Sequence, residues 1–331
     1  MTVPVTTNHE PRTTNLLVRL FQSEYLILAL CAAYFASLAP FAPGFASTGN
    51  FANILSAMLP LLVVATGQTL VLITAGIDLS VTSIIALASV TGAMFINGDS
   101  GLLAGSAAAT PVGVLVMLAI GATIGLLNGA AITLFRMPPF IVTLTGMMFF
   151  SGFAIWLTQS KSIASLPGSF IALGKNVWLA GGIAAVVALV GHLLLTRTLL
   201  GRWFYAVGHN PKAALVSGVP VNRALLLAYV ACGLCAGVAA VLITGRLETG
   251  SPVHWRSNLL DIIGATVIGG TSLYGGRGKV LWTVFGVLFL TLLDNSLNLL
   301  NLSHFTIMMV KGGVILAAAM LDALRSRMAT A

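Results

Sequence analysis

Asp78, Asp261, Asp294 and Lys311 each lie inside or beside a long apolar run, where ionisable side chains are rare. Buried acids and a base could move protons, hold a cation or hydrogen-bond a polar solute. A charge near the centre of an apolar span costs on the order of 2.5–3.5 kcal/mol. Each of the four therefore needs a watery cavity, a partner, or a place near the end of its span. Thr291, Asp294, Asn298 and Asn301 recur at intervals of 3, 4 and 3 and share one helix face. Such a stripe faces an interior cavity or another helix. Asp78 stands in TAGIDLS, where Gly76 permits an unusual backbone and Asp78 or Ser80 could cap the next helix. Two readings stay open for it: a capping corner at a membrane surface, or a broken helix lining a path.

Other chemistries fail on spacing. Gly275-Gly-Arg-Gly278-Lys279 invites comparison with a phosphate loop, but that motif needs Gly at 273 and Ser or Thr at 280, and the chain has Leu273 and Val280. Cys232 and Cys235 have redox-motif spacing inside an apolar run with no strand before them, so helix packing explains them. His9, His192, His209, His254 and His304 are dispersed without metal-ligand spacing. No catalytic set, metal site or cofactor site is expected. Any ATP-driven step would need another polypeptide.

The elements that position these residues follow from composition. Of 331 residues, 58% are hydrophobic and 7% charged, against about a quarter charged in soluble domains. Mean hydropathy is +1.01. Repeated apolar runs near 20 residues predict an all-α, polytopic membrane helix bundle. The spans expected are 24–41, 51–74, 81–96, 111–134, 140–157, 177–195, 224–244, 258–270, 280–300 and 305–321, about ten in all. Residues 1–22 and 325–331 read as cytoplasmic tails around one transmembrane domain, 23–324. The net charge of +8 is scattered singly between spans, which argues for anionic membrane lipid as a contact and against nucleic acid. Ten spans place both termini in the cytoplasm. Eleven cations then fall inside (Arg12, Arg19, Arg136, Arg197, Arg202, Lys212, Arg223, Arg277, Lys279, Arg325, Arg327) and four outside (Lys161, Lys175, Arg246, Arg256), which is the positive-inside bias. Gly121, Gly125 and Gly129, with Gly233 and Gly237, predict close helix approach and a central place for their two helices.

In the last hairpin, Asp294 and Lys311 each lie 8.5 positions from the turn centre between Leu302 and Ser303. Equal spacing predicts equal depth, roughly 9 Å below the surface, and a Lys311–Asp294 contact. Bonds from Lys311 to the Asn298 or Asn301 amides are the alternative.

The longest cationic interruption is Gly201 to Arg223, a loop without an acid. Asn210 suits an N-cap, Pro211 the first helical position, and Gly218 with Pro220 a stop. A helix over 211–217 is too short to stand alone in water, so it is either part of an ordered loop or docks on something.

Five stretches, GQTLVLITAGIDLSV (67–81), NGAAITLFRMPPFIVTL (128–144), GRWFYAVGHNPKAALVSGV (201–219), IGGTSLYGGRGKV (268–280) and NLLNLSHFTIMMVKGGVIL (298–316), occur in the order found in a known family. The chain resembles the permease subunits of ribose-type bacterial ATP-binding-cassette importers over roughly residues 45–325. The resemblance implies a path for a monosaccharide or polyol across the inner membrane, and no enzymatic activity in this chain. It implies three partners: a second permease subunit (a homodimer or a sister permease), a cytoplasmic ATPase, and a periplasmic solute-binding protein. The expected substrate path is Asp78, Ser80, Asn128, Thr143, Thr291, Asp294 and Asn298. Asn210, Pro211, Lys212, Ala213, Ala214, Val216 and Gly218 are expected to couple to the ATPase. Arg246, Glu248 and Arg256, expected together in one outer loop, are candidates for docking an acidic rim of the binding protein. Thr82, His209 and Leu259 depart from the family pattern, the last bearing on the substrate. An ion-coupled secondary transporter is the alternative, with Asp78 and Asp294 as its acids. An intramembrane enzyme would need a nucleophile–base pair or metal spacing, and the chain has neither.

Overall fold

The computed structural model describes residues 26–253 and 255–330. The expected tail 1–22, the start of the first span at Glu24, and His254 lie outside the described residues, as do the side chains of Arg325 and Arg327. Thirteen α-helices are described: α1 (Leu26–Leu38), α2 (Thr48–Ile73), α3 (Val81–Ile96), α4 (Ala109–Leu134), α5 (Pro139–Thr158), α6 (Gly168–Lys175), α7 (Val177–Arg197), α8 (Leu199–His209), α9 (Pro211–Val216), α10 (Val221–Leu247), α11 (Leu259–Ile268), α12 (Val280–Leu299) and α13 (His304–Thr330). Among the described residues there is no strand, only one isolated antiparallel bridge between Ile163 and Gly250.

Among the described residues, seven helices are long and apolar enough to cross a membrane: α2, α4, α5, α7, α10, α12 and residues 304–323 of α13. α1 and α3 are shorter apolar helices, and α11 has ten residues. α13 continues into the stretch expected as a tail. Two helices were unforeseen, α6 in the 159–176 loop and α8 at the head of the 201–223 loop. Both are short and of mixed polarity, so no apolar run announces them.

Local chemistry sets the ends. Ser47 accepts the Asn50 N–H and starts α2, and Asn176 accepts from Trp178 N and Leu179 N to start α7. Pro139 occupies the first turn of α5, which stops where Gln159 turns left-handed. Contacts then sort the loops into two ends. Gly276 N donates to Ile73 O, and Tyr205 Oη to Gly278 O, at 2.9 and 2.6 Å. These gather 74–80, 198–220 and 269–279 at one end, which carries Arg202, Lys212, Arg277 and Lys279. At the opposite end Gly98 N donates to Ser165 O (2.7 Å), Asn97 Nδ2 to Ala164 O (2.6 Å), and Lys175 pairs with Glu248.

The core sits around α2, which is buried along most of its length. α10 and α4 cross with their backbones touching: a Cβ on Gly121 would strike Gly233 O, one on Gly125 would strike Tyr229 O, and one on Gly237 would lie 2.8 Å from Met117 O. Close approach of glycine faces replaces the hydrophobic drive that lipid does not supply. The spacing of those glycines predicted close backbone approach for both helices, though not that they would meet each other. That α2 lies deeper still had no glycine signal.

Candidate functional site

At the basic end, α2 stops at Ile73 and the chain takes an irregular course to α3. Ala75 is left-handed (φ 61°), and a side chain on Gly76 would meet the Tyr229 hydroxyl at 2.6 Å. This brings Asp78 to a position with no solvent exposure. Its Oδ1 accepts from Ser80 N (2.9 Å) and Ser80 Oγ (2.6 Å), an Asx turn that fixes the entry to α3. Ser80 itself caps nothing through its side chain; its Oγ accepts from Asn128 Nδ2 of α4 at 2.8 Å. The carbonyl of Ile77 accepts from Tyr229 Oη of α10 (3.2 Å) and Thr143 Oγ1 of α5 (3.3 Å). The Gln68 amide, oriented to satisfy both neighbours, donates to Asp78 O at 3.1 Å and accepts from Asp78 N at 3.3 Å. Asp78 Oδ2 has no hydrogen-bond partner among the described residues. Five elements thus converge on an irregular backbone segment within the bundle. Such backbone is tolerated at depth only when protein or a cavity satisfies it.

The second polar group lies at the α11–α12–α13 flank. Lys311 Nζ donates to Asp261 Oδ2 at 2.7 Å and to Asp294 Oδ1 at 3.1 Å. The expected Lys311–Asp294 contact is present, and Asp261 completes a triad with help from Asn258 Nδ2 (3.2 Å). The stripe on α12 is less uniform than its spacing suggested. Thr291 is buried and donates to its own helix at Val287 O (2.8 Å). The Asp294 side chain is 46% exposed, and Asn298 Nδ2 donates to its backbone O (2.7 Å) and to Oδ2 (3.2 Å). Asn301 lies past the helix end with φ 56°.

The third group is the short α9. Asn210 Oδ1 accepts from Lys212 N and Ala213 N, both at 3.0 Å, and the left-handed Gly218 (φ 82°) lets Val219 N reach Ala214 O at 3.0 Å. The expected helix is present, one residue shorter at its end. Ala214 is buried beneath it, while Leu215 and Val216 project outward, Val216 at 90% exposure. The preceding α8 is tied in by Tyr205, whose hydroxyl burial pushes above its ordinary pKa.

The family described as the permease component of a branched-chain amino acid transport system matches residues 50–319. The chain belongs to this family. It is a membrane transport component, not an enzyme. The permease is 35% identical to the ribose import permease of Escherichia coli K12 over 313 residues, 91% of this chain and 93% of the relative. It is 38% identical to the ribose import permease of Bacillus subtilis 168 over 291 residues, 86% and 88% of the two chains. Its identity with the L-arabinose transport system permease of Escherichia coli K12 is 35% over 303 residues, 90% of each. No solved structure matches it.

Of the residues singled out for a path in this permease, Asp78, Ser80, Asn128 and Thr143 come together, whereas Thr291, Asp294 and Asn298 belong to a different flank. The outer-loop trio is not one loop cluster. Arg246 is in the last turn of α10, Glu248 is the left-handed cap that pairs with Lys175 at 2.6 Å, and Arg256 begins a 3-10 turn. α10 runs three residues beyond its expected end because Arg246 and Leu247 still suit a helix terminus. Sequence reasoning missed Gln68, which stands between Thr66 and Thr69 inside the second span, and Tyr229, which sits in an apolar run. It also missed the reciprocal Asn50–Asn295 amide pair (2.8 and 2.9 Å) and the Tyr34–Ser296 bond (2.7 Å), which tie α12 to α2 and α1. Asn295 directly follows Asp294, so attention to the stripe hid its neighbour.

Proposed function

We propose that this chain is the permease subunit of an ATP-binding-cassette importer and forms a path for a monosaccharide or related polyol across the bacterial inner membrane. The observation that carries the reading is similarity over about nine-tenths of the chain to permeases named for ribose and L-arabinose. The family description names amino acids, but a zwitterion calls for counter-charges of both signs. The Asp78 cluster offers one carboxylate and hydroxyl or amide groups, which suits a neutral polyol. In this reading α1, α3 and α11 join the seven long helices to make ten spans within one domain, 23–324. Both termini are then cytoplasmic, and the basic end is the cytoplasmic face.

Asp78, Ser80, Asn128 and Thr143 form a closed gate near that face. The half-exposed Asp294 and exposed Asn298 belong to the wall shared with a second permease subunit, with Thr291 buried behind them. A polar, half-exposed Asp294 at membrane depth is unsuited to lipid. α9 is the coupling helix: Lys212, Ala213 and Val216 contact the ATPase, while Asn210, Pro211, Ala214 and Gly218 hold the helix in shape. Arg246 and Arg256 receive the periplasmic binding protein, with Glu248 occupied by Lys175. ATP-driven closure of the ATPase pair draws the coupling helices together and biases the bundle from outward- to inward-facing.

The test is uptake of labelled monosaccharides by cells that carry the permease with its ATPase and binding protein. Val216→Asp should leave the permease in the membrane and abolish uptake. Reversing Arg246 and Arg256 to Glu should reduce ATPase stimulation by the loaded binding protein, most clearly at low salt. Normal uptake by Val216→Asp would remove α9 from the coupling role.

A further inference from the structure

The segment that joins α11 to α12, residues 269–279, touches separate parts of the basic end. Gly276 N donates to Ile73 O of α2 at 2.9 Å, and Gly275 packs against Ala75. A Cβ on Gly276 would lie 3.2 Å from the His209 Cα, immediately before the cap of α9. Tyr205 Oη of α8 donates to Gly278 O at 2.6 Å. On its other side the segment meets α13, where Asp322 Oδ2 accepts from Ser272 Oγ (3.2 Å) and Leu273 N (3.3 Å). Ser272 N donates to Arg277 O at 3.0 Å and closes the segment into a strap. Gly275 and Gly276, at φ 82° and 70°, permit this course.

α13 differs from the other long helices. Over residues 304–323 only Ile307 is fully buried, Val310, Val314, Ile315 and Ala318 are partly buried against the core, and the opposite face is exposed. Ile315 rests where a side chain on Gly264 would be, and the polar ties are Asp322 to the strap and Lys311 to Asp261 and Asp294. The two polar ties are separated by 11 residues, roughly 16 Å along the helix axis. A helix that packs by one face can shift as a rigid rod without opening a core.

We propose that the 269–279 strap is a mechanical relay. Displacement of α8 and α9 passes through Tyr205 to the strap, through Ser272 and Leu273 to Asp322, and along α13 to the Lys311 triad near the opposite end. Tyr205 and Asp322 are positioning residues, and neither contacts the solute. The relay rests on the importer reading, in which α9 receives the ATPase.

The experiment uses the complete complex in proteoliposomes and measures sugar imported and ATP hydrolysed together. Tyr205→Phe and Asp322→Ala should each bind the ATPase and hydrolyse ATP, yet import less sugar per ATP: about tenfold less for Asp322→Ala, the scale of a lost charge-assisted hydrogen bond, and about fivefold less for Tyr205→Phe, the scale of a neutral one. Asp322→Asn keeps an acceptor oxygen and should restore most of the ratio. The double variant Tyr205→Phe with Asp322→Ala should be no worse than the poorer single variant, because both sit on one series route. A second measurement places spin labels at the exposed Met320 of α13 and Leu227 of α10. Their separation should change on ATP addition and stay fixed in the Asp322→Ala complex. Wild-type import ratios in both single variants, multiplicative loss in the double, or an immobile α13 in the unmodified complex would overturn the relay alone. Failure of the unmodified permease to bind any ATPase would overturn the importer reading and the relay with it.

Discussion

Asp78 is fully buried where α2, α4, α5 and α10 meet, whereas Asp294 and Lys311 lie on a flank that α12 and α13 leave half open. Both regions hold charge inside an apolar bundle, and both must offset its desolvation. The first does so with dipoles: a serine N–H and hydroxyl on Oδ1, and Gln68, Tyr229 and Thr143 on the adjoining backbone. The second uses opposite charge, one ammonium between two carboxylates. The packing differs accordingly. Glycine-to-backbone contacts lock α4 against α10 beside Asp78, while α13 presents Gly312 and Gly313 to open space. A transporter that alternates between two shapes needs one body to hold and another to move, and these two regions divide those properties.

The comparison breaks most easily at the helix crossing. Gly233→Leu forces a side chain into the backbone of Gly121, where no flexible neighbour can yield, and should cost more than about 3 kcal/mol. The yield of monodisperse permease in detergent should collapse, while Gly182→Leu, which meets open space, should leave it unchanged. Equal yields would mean that α4 and α10 are not the rigid body.

The next effect falls on the looser flank. Lys311→Met strands two carboxylates and should lower stability by about 3 kcal/mol, the low end for a broken buried pair because Asp294 is half exposed. Adding Asp261→Leu should recover part of that loss in thermal unfolding. A double variant less stable than Lys311→Met would show that Asp261 does not need the lysine.

A smaller effect sharpens the contrast. Asp78→Ala leaves the Ser80 N–H and hydroxyl without their acceptor and should cost about 1–2 kcal/mol. Asp78→Asn keeps an acceptor oxygen for both groups, so it should cost less. If Asn proves worse than Ala in the same unfolding assay, the charge itself is required.

Much of this was legible in the residues. Apolar runs marked the long helices, the Gly121–Gly125–Gly129 and Gly233–Gly237 spacings marked close backbone approach, and the hairpin arithmetic placed Lys311 beside Asp294. Asn210, Pro211 and Gly218 located α9 almost to the residue, because capping is local chemistry. What escaped was non-local. Tyr229 reaches the Ile77 carbonyl from a helix more than 150 positions away, and Gln68, ten positions before Asp78, meets it only because the backbone breaks after Ile73 and folds back; no spacing encodes either. Asp261 joined the triad from a third helix for the same reason. The expected stripe on α12 holds only in part: Thr291, Asp294 and Asn298 lie on the helix, but Asn301 falls past its end, and the burial of Thr291 depends on neighbours the period does not name.

In the proposed importer, ATP hydrolysed by a partner drives a neutral sugar through this permease. The most direct measurement is uptake of labelled ribose and other monosaccharides into proteoliposomes that hold the permease and its ATPase, with the binding protein outside and ATP within. Uptake should require both ATP and binding protein and be indifferent to an uncoupler. Uptake that follows an imposed proton or sodium gradient without ATP would contradict it.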